Sequence, residues 1–182
     1  MSLEIWSTLA TIGTFVVIAA TAIAAFVQLR HIRLSNQLAG LQSAFDMLMD
    51  PAVRELVNYI RHDLADRMKD EKFRAGLREV PVDRRDHPEL YLCDMYNHVG
   101  SFVRSGLIDE KVFLQTEWYN VHLYWQLLRD AVAEGRRVAP YVFENFEWLA
   151  ARAERWIAEH PRGNYPSNER RMIATAQANH AE

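Results

Sequence analysis

The stretch Ile5–Leu29, IWSTLATIGTFVVIAATAIAAFVQL, contains no charged residue. As a helix rising about 1.5 Å per residue it reaches about 37 Å, more than the roughly 30 Å hydrocarbon core of a bilayer. It predicts a membrane-spanning helix, because in lipid only an internally bonded helix satisfies the backbone's polar groups. Glu4 precedes the run, whereas Arg30 and Arg33 follow it. A cleaved secretory signal has the reverse order, a positive start and a shorter apolar core, so the segment is expected to remain as an anchor. The positive-inside bias then puts the N-terminus outside and Arg30, His31, Arg33 and the rest of the chain in the cytoplasm. Arg30 and Arg33 are placed to hold anionic lipid headgroups.

The remainder of the 182 residues suffices for one compact domain. The expected division is a membrane anchor over 1–33, a helical cytoplasmic domain over 34–160 and a polar, fraying tail over 161–182. Lys and Arg number 21 against 24 Asp and Glu, a formal net charge of -3. Without a basic excess, nucleic acid is excluded as the main partner. Cys93 is the single cysteine, so an internal disulfide or thiolate metal cluster is excluded and a reducing compartment fits.

Inside the span, Ser7, Thr11, Thr14, Ile18, Thr21, Ala25 and Gln28 alternate spacings of four and three, one stripe of mostly small and hydroxylated side chains. Such a stripe suits close packing against a second copy, with Ser7, Thr11, Thr14, Thr21 and Ala25 at the contact; the alternative is that the hydroxyls bond their own helix and face lipid. Leu34, Leu38, Leu41, Phe45 and Leu48 again alternate four and three, an apolar juxtamembrane seam that serves either as core or as a parallel coiled coil.

Asp50-Pro51 marks a new helix to about Lys69, with Asp70–Arg78 as a weak continuation. Val80–Pro88, VPVDRRDHP, is a loop. Helices follow from Glu89 to Gly106 and, capped by Asp109, from Glu110 to Glu134; a last one runs from Pro140 to Glu159. The expected fold is therefore all-α, a single transmembrane helix continuing into a cytoplasmic bundle of four or five helices. A short helix over Ser167–Gln177 is the one element expected in the tail.

Chemistry-bearing residues are sparse. Asp94 and His98 share a helix face, and Glu117 and His122 on the next helix complete a carboxylate and imidazole set that suits zinc, manganese or iron. No Glu-x-x-His pair of the di-iron bundles accompanies it. His62-Asp63 matches the dipeptide of helical phosphohydrolases, but no partner ligands can be nominated. Cys93 sits among Leu90, Leu92 and Tyr96 as a small hydrophobe. The tryptophans read as bundle core, and Arg136 and Arg137 as a solvated turn.

Three segments together carry a resemblance: YNHVGSFVRSGLIDEKVF over Tyr96–Phe113, a helix bearing Trp125, and FENFEWLAARAERW over Phe143–Trp156. With the apolar anchor, the chain resembles an uncharacterised bacterial family catalogued as domain of unknown function 4760. The resemblance implies an N-terminal membrane helix with an all-helical cytoplasmic part, hence a single-pass protein of a bacterial inner membrane. It implies no activity, substrate or catalytic residue. The expected function is a non-enzymatic interaction or regulatory module without cofactor, self-associating in the bilayer and meeting a protein partner not identifiable from sequence. The alternative is a metal-dependent enzyme or small-ligand sensor using Asp94, His98, Glu117 and His122.

Overall fold

The computed structural model describes residues 3–161, 163–166, 168–170 and 172. Among these the chain is all-helical: α1 (Leu3–Leu48), α2 (Pro51–His62), α3 (Leu64–Arg67), α4 (Glu71–Gly76), α5 (Glu89–Arg104), α6 (Glu110–Arg136) and α7 (Glu144–Glu159). Lacking proline and having glycine only at Gly13 and Gly40, α1 runs unbroken from the apolar stretch into the body. Its mean hydropathy reaches 2.2 over an 18-residue window that the rest of the protein leaves unburied, so it is long and apolar enough to span a membrane.

The body is built on α5, α6 and α7, with α2 and the lower end of α1 against them. Tyr96, Phe113, Phe146, Leu128 and Leu149 fill the centre, each at most 1% exposed. Phe146 stacks on Tyr96 at 5.2 Å between ring centres and meets Trp125 edge-on at the same distance. Trp118, Trp125, Trp148 and Trp156 thus pack against the core.

Helix ends follow local chemistry. Asp50 caps α2 by accepting from Ala52 N at 2.8 Å, and Asp109 caps α6 by accepting from Val112 N at 2.9 Å. Between α5 and α6, Gly106 adopts φ 74°, and Leu107 N and Ile108 N both donate to Phe102 O. A left-handed residue at that point lets the closing bonds form, which glycine permits without strain. At α7 the cap comes from another helix. Phe143, at the N-cap position with φ 59°, offers no capping side chain, and Asn97 of α5 accepts from Asn145 N (3.1 Å) and Phe146 N (3.4 Å).

Several expectations need correction. The helix read as Pro51–Lys69 ends at His62 and resumes as the single turn α3, which sends Leu64 into the core at 1% exposure. α6 passes through Gly135 to Arg136, and α7 starts at Glu144, not Pro140. Arg136 is no free turn residue: it donates to Val142 O (3.0 Å) and Glu147 (2.7 Å), fastening the α6–α7 connection. Within the described part of the tail, Asn164 is tied to the body, accepting from Trp156 Nε1 and donating to Gln115 O, both at 3.0 Å. The helix expected over Ser167–Gln177 lies mostly outside the described residues.

Candidate functional site

The two stripes of α1 have different fates. Thr11, Thr14 and Thr21 donate to Ser7 O, Ala10 O and Val17 O at 2.7–2.9 Å, so these hydroxyls are satisfied within their own helix. Close packing of small side chains, including Ser7 and Ala25, remains available to the stripe. Lower down, the body takes one side of α1: Ala44 is 2% exposed, Leu41 and Phe45 are half-buried, and Phe45 stacks on Phe113. Leu34 and Leu38 stay open, 53% and 66% exposed.

Where α1 meets the body there is a cavity of about 440 Å³, walled by Phe45, Leu48 and Met49 on one side and Leu92, Tyr96 and Glu117 on the other. Glu117 is only 8% exposed and accepts from Asn120 Nδ2 at 3.0 Å. Its charge adds to burial in pushing the Tyr96 phenol well above its usual range. The lining mixes apolar side chains with Asp50, Arg54, Glu117 and Asn120, a hollow between helices that offers both packing and polar contacts to a small ligand.

Glu117 is the one member of the Asp94, His98, Glu117 and His122 set that lines this cavity. Asp94 pairs instead with Arg84 at 3.0 Å, His98 is exposed and His122 half-buried. Among the described residues no three His, Cys, Asp or Glu side chains are grouped to hold a metal ion. His62 and Asp63 are exposed on α2's end, and Cys93 is fully buried, its thiol pushed up by burial and therefore unreactive.

The most unusual electrostatics lie elsewhere. Glu89 (0% exposed) and His87 (2%) meet at 3.0 Å through Oε1 and Nδ1, and Glu89 Oε2 has no hydrogen-bond partner. His87 lies against Phe73, whose ring also carries the Arg67 guanidinium at 4.7 Å from its centre, and the His87 Nε2 leaves no room for a Cβ on Gly76. Burial holds the Glu89 carboxyl above its ordinary range, outweighing the opposing pull of His87 and Arg67. Tyr59 beside it is pushed up to about 12, first by burial and then by the Glu89 charge. The sequence did not mark this pair, because Pro-Glu at a helix start is ordinary and the burial comes from Tyr59 and Phe73 on other helices.

A raised carboxyl pKa has a definite sign in stability. The unfolded chain releases this proton near pH 4.3 while the native protein keeps it, so stability falls as pH rises from there through the higher native value. Glu89→Gln, neutral throughout, should flatten that part of the pH dependence when thermal midpoints are followed by circular dichroism. An unchanged slope would assign the pH dependence to other groups.

A family model described as a domain of unknown function, DUF4760, matches residues 15–156. The chain belongs to this family. The match begins within the apolar part of α1 and ends in α7, so the DUF4760 region includes both walls of the cavity and the Glu89–His87 pair. No curated protein and no solved structure matches the chain.

Proposed function

We propose that this chain is a membrane-anchored, non-enzymatic helical module that pairs with a second copy through α1 and regulates or recruits a protein partner. The observation that carries this reading is the stripe of small side chains on α1, with Ser7, Thr11, Thr14, Thr21 and Ala25 all left exposed by the body. Small side chains allow backbones to approach closely in lipid, whereas Leu34 and Leu38 lie on another face of the helix, outside that contact. The basic residues after the span support a single-pass arrangement in a bacterial inner membrane, N-terminus outside and body in the cytoplasm, with Arg30 and Arg33 at the headgroups.

A second reading, a small-ligand sensor, is favoured by Glu117 in its cavity. Because Phe45 and Leu48 of α1 form a wall, an occupant there would bear directly on the anchor. Native mass spectrometry of the full-length protein released from nanodiscs separates the two. A dimer or larger assembly without added mass is the expected result. A monomer carrying a stoichiometric small-molecule mass that Glu117→Gln removes would replace the first reading with the second.

A further inference from the structure

The corner between α5 and α6 is fastened to α1 just below the apolar run. Gln37 Nε2 donates to Gly106 O at 3.1 Å, and a Cβ on Gly40 would lie 3.2 Å from Leu107 O. Gln37 follows Arg30 by seven residues, about 10 Å along the helix. A crease of about 320 Å³ runs from Ser105, Gly106 and Leu107 up to Leu29 and Ile32, so the corner reaches the level of the last apolar residues of the span. The headgroup layer on each side of the hydrocarbon is about 5–8 Å thick, and spanning helices tilt by about 20° on average. A tilt toward this side lays the corner in that layer.

Its surface chemistry suits the position. Leu107 is 53% exposed, Val112 47% and Phe102 39%, three large apolar side chains left in the open at one turn. Arg104 and Lys111 flank them, exposed, with Arg30 and Arg33 on α1 adding to the same side. The neighbouring acids are engaged within the protein: Asp109 caps α6, and Glu110 is bound by Arg152 at 2.6 Å. Apolar tips between cations are what an anionic lipid surface holds, the hydrocarbon entering the boundary while the cations stay among phosphates.

We infer that the α5–α6 corner is a second membrane contact, in which Leu107 and Phe102 insert at the surface of the bilayer that α1 crosses. This rests on the anchoring of α1. The contact fixes the angle between body and membrane, so that the opposite pole of α6, some 40 Å away by helix rise, stands clear of lipid.

The test uses the full-length protein in vesicles of equal parts phosphatidylcholine and phosphatidylglycerol. An environment-sensitive fluorophore is placed in turn at Leu107→Cys, Phe15→Cys and Val138→Cys, with buried Cys93 unlabelled in a wild-type control. Lipids bearing a spin label near the headgroup serve as quencher for Leu107 and Val138, and lipids labelled deep in the acyl chain for Phe15. The expected result is that the probes at Leu107 and Phe15 lose more than half their emission while the probe at Val138 loses none. Quenching at Phe15 without quenching at Leu107 overturns the inference and leaves the anchor intact. No quenching at Phe15 removes the anchor and the inference with it. Equal quenching at Val138 and Leu107 means the body lies flat, which also overturns it.

Discussion

Phe146→Ala should destabilise the body by about 4 kcal/mol, a large share of the roughly 5–15 kcal/mol that holds a domain folded. Phe146 is fully buried, stacked on Tyr96 and edge-on to Trp125. Truncation removes a ring's worth of transfer free energy and leaves a hollow between α5, α6 and α7 that three rigid neighbours cannot close. The aromatic pairs add about 0.5–1.5 kcal/mol each beyond the area they bury. Denaturant unfolding in mild detergent, followed by tryptophan fluorescence, measures the loss. Phe146→Leu should cost visibly less, since it restores most of the volume. A loss under about 1 kcal/mol for the alanine variant would mean that the three helices do not share one core.

Gly100→Ala should cost about 3 kcal/mol although it adds a single methyl group. A Cβ at residue 100 would fall 2.3 Å from Asn145 O and 2.8 Å from its carbonyl carbon. Those atoms are backbone, so relief requires α7 to move away from α5. That movement also pulls the N–H groups of Asn145 and Phe146 from the Asn97 side chain that caps them. On an exposed helix the same substitution would stabilise by up to about 1 kcal/mol, so the expected sign is opposite to that of helix propensity. The thermal midpoint of the variant in detergent decides it, and an increase would show that α5 and α7 cross less closely.

These two positions illustrate which parts of the fold are legible in the sequence. Turn signals written in neighbouring residues read correctly: Asp50 before Pro51, Gly106 followed by Asp109, and the uncharged run of α1 each dictate structure within a few residues. What depends on distant partners does not. Gly100 appears as a mild helix weakener until Asn145 arrives against it. Phe143 takes a left-handed conformation because Asn97 supplies the cap that its own side chain lacks. Asp63 interrupts a helix with neither glycine nor proline to announce it, as tertiary burial of Leu64 overrides propensity.

The candidate site divides along the same line. Glu117 is buried and lines a cavity, but a spacing of four and five along two helices could not say that Asp94 would turn to Arg84 while His98 stayed in solvent. The Glu89–His87 pair escaped notice because each residue is commonplace in its local setting. Its burial is assembled from α2, α4 and α5 together, with Tyr59 and Phe73 contributed from the first two. The α1 stripe shows the converse. Its spacing is legible, yet the threonine hydroxyls turn to their own helix, leaving packing, not hydrogen bonding, as the force available for association.

Pairing through α1 is tested most directly by cysteine crosslinking in native membranes. Thr14→Cys lies on the exposed small-residue stripe within the span, whereas Tyr141→Cys is exposed at the far end of the body. A parallel pair related by a two-fold axis along that stripe brings position 14 against its own copy and keeps position 141 apart. Oxidation by a membrane-permeant catalyst should therefore convert most of the Thr14→Cys protein to a covalent dimer and leave Tyr141→Cys monomeric. A monomer at position 14, in protein that fractionates with the membrane, would contradict the account.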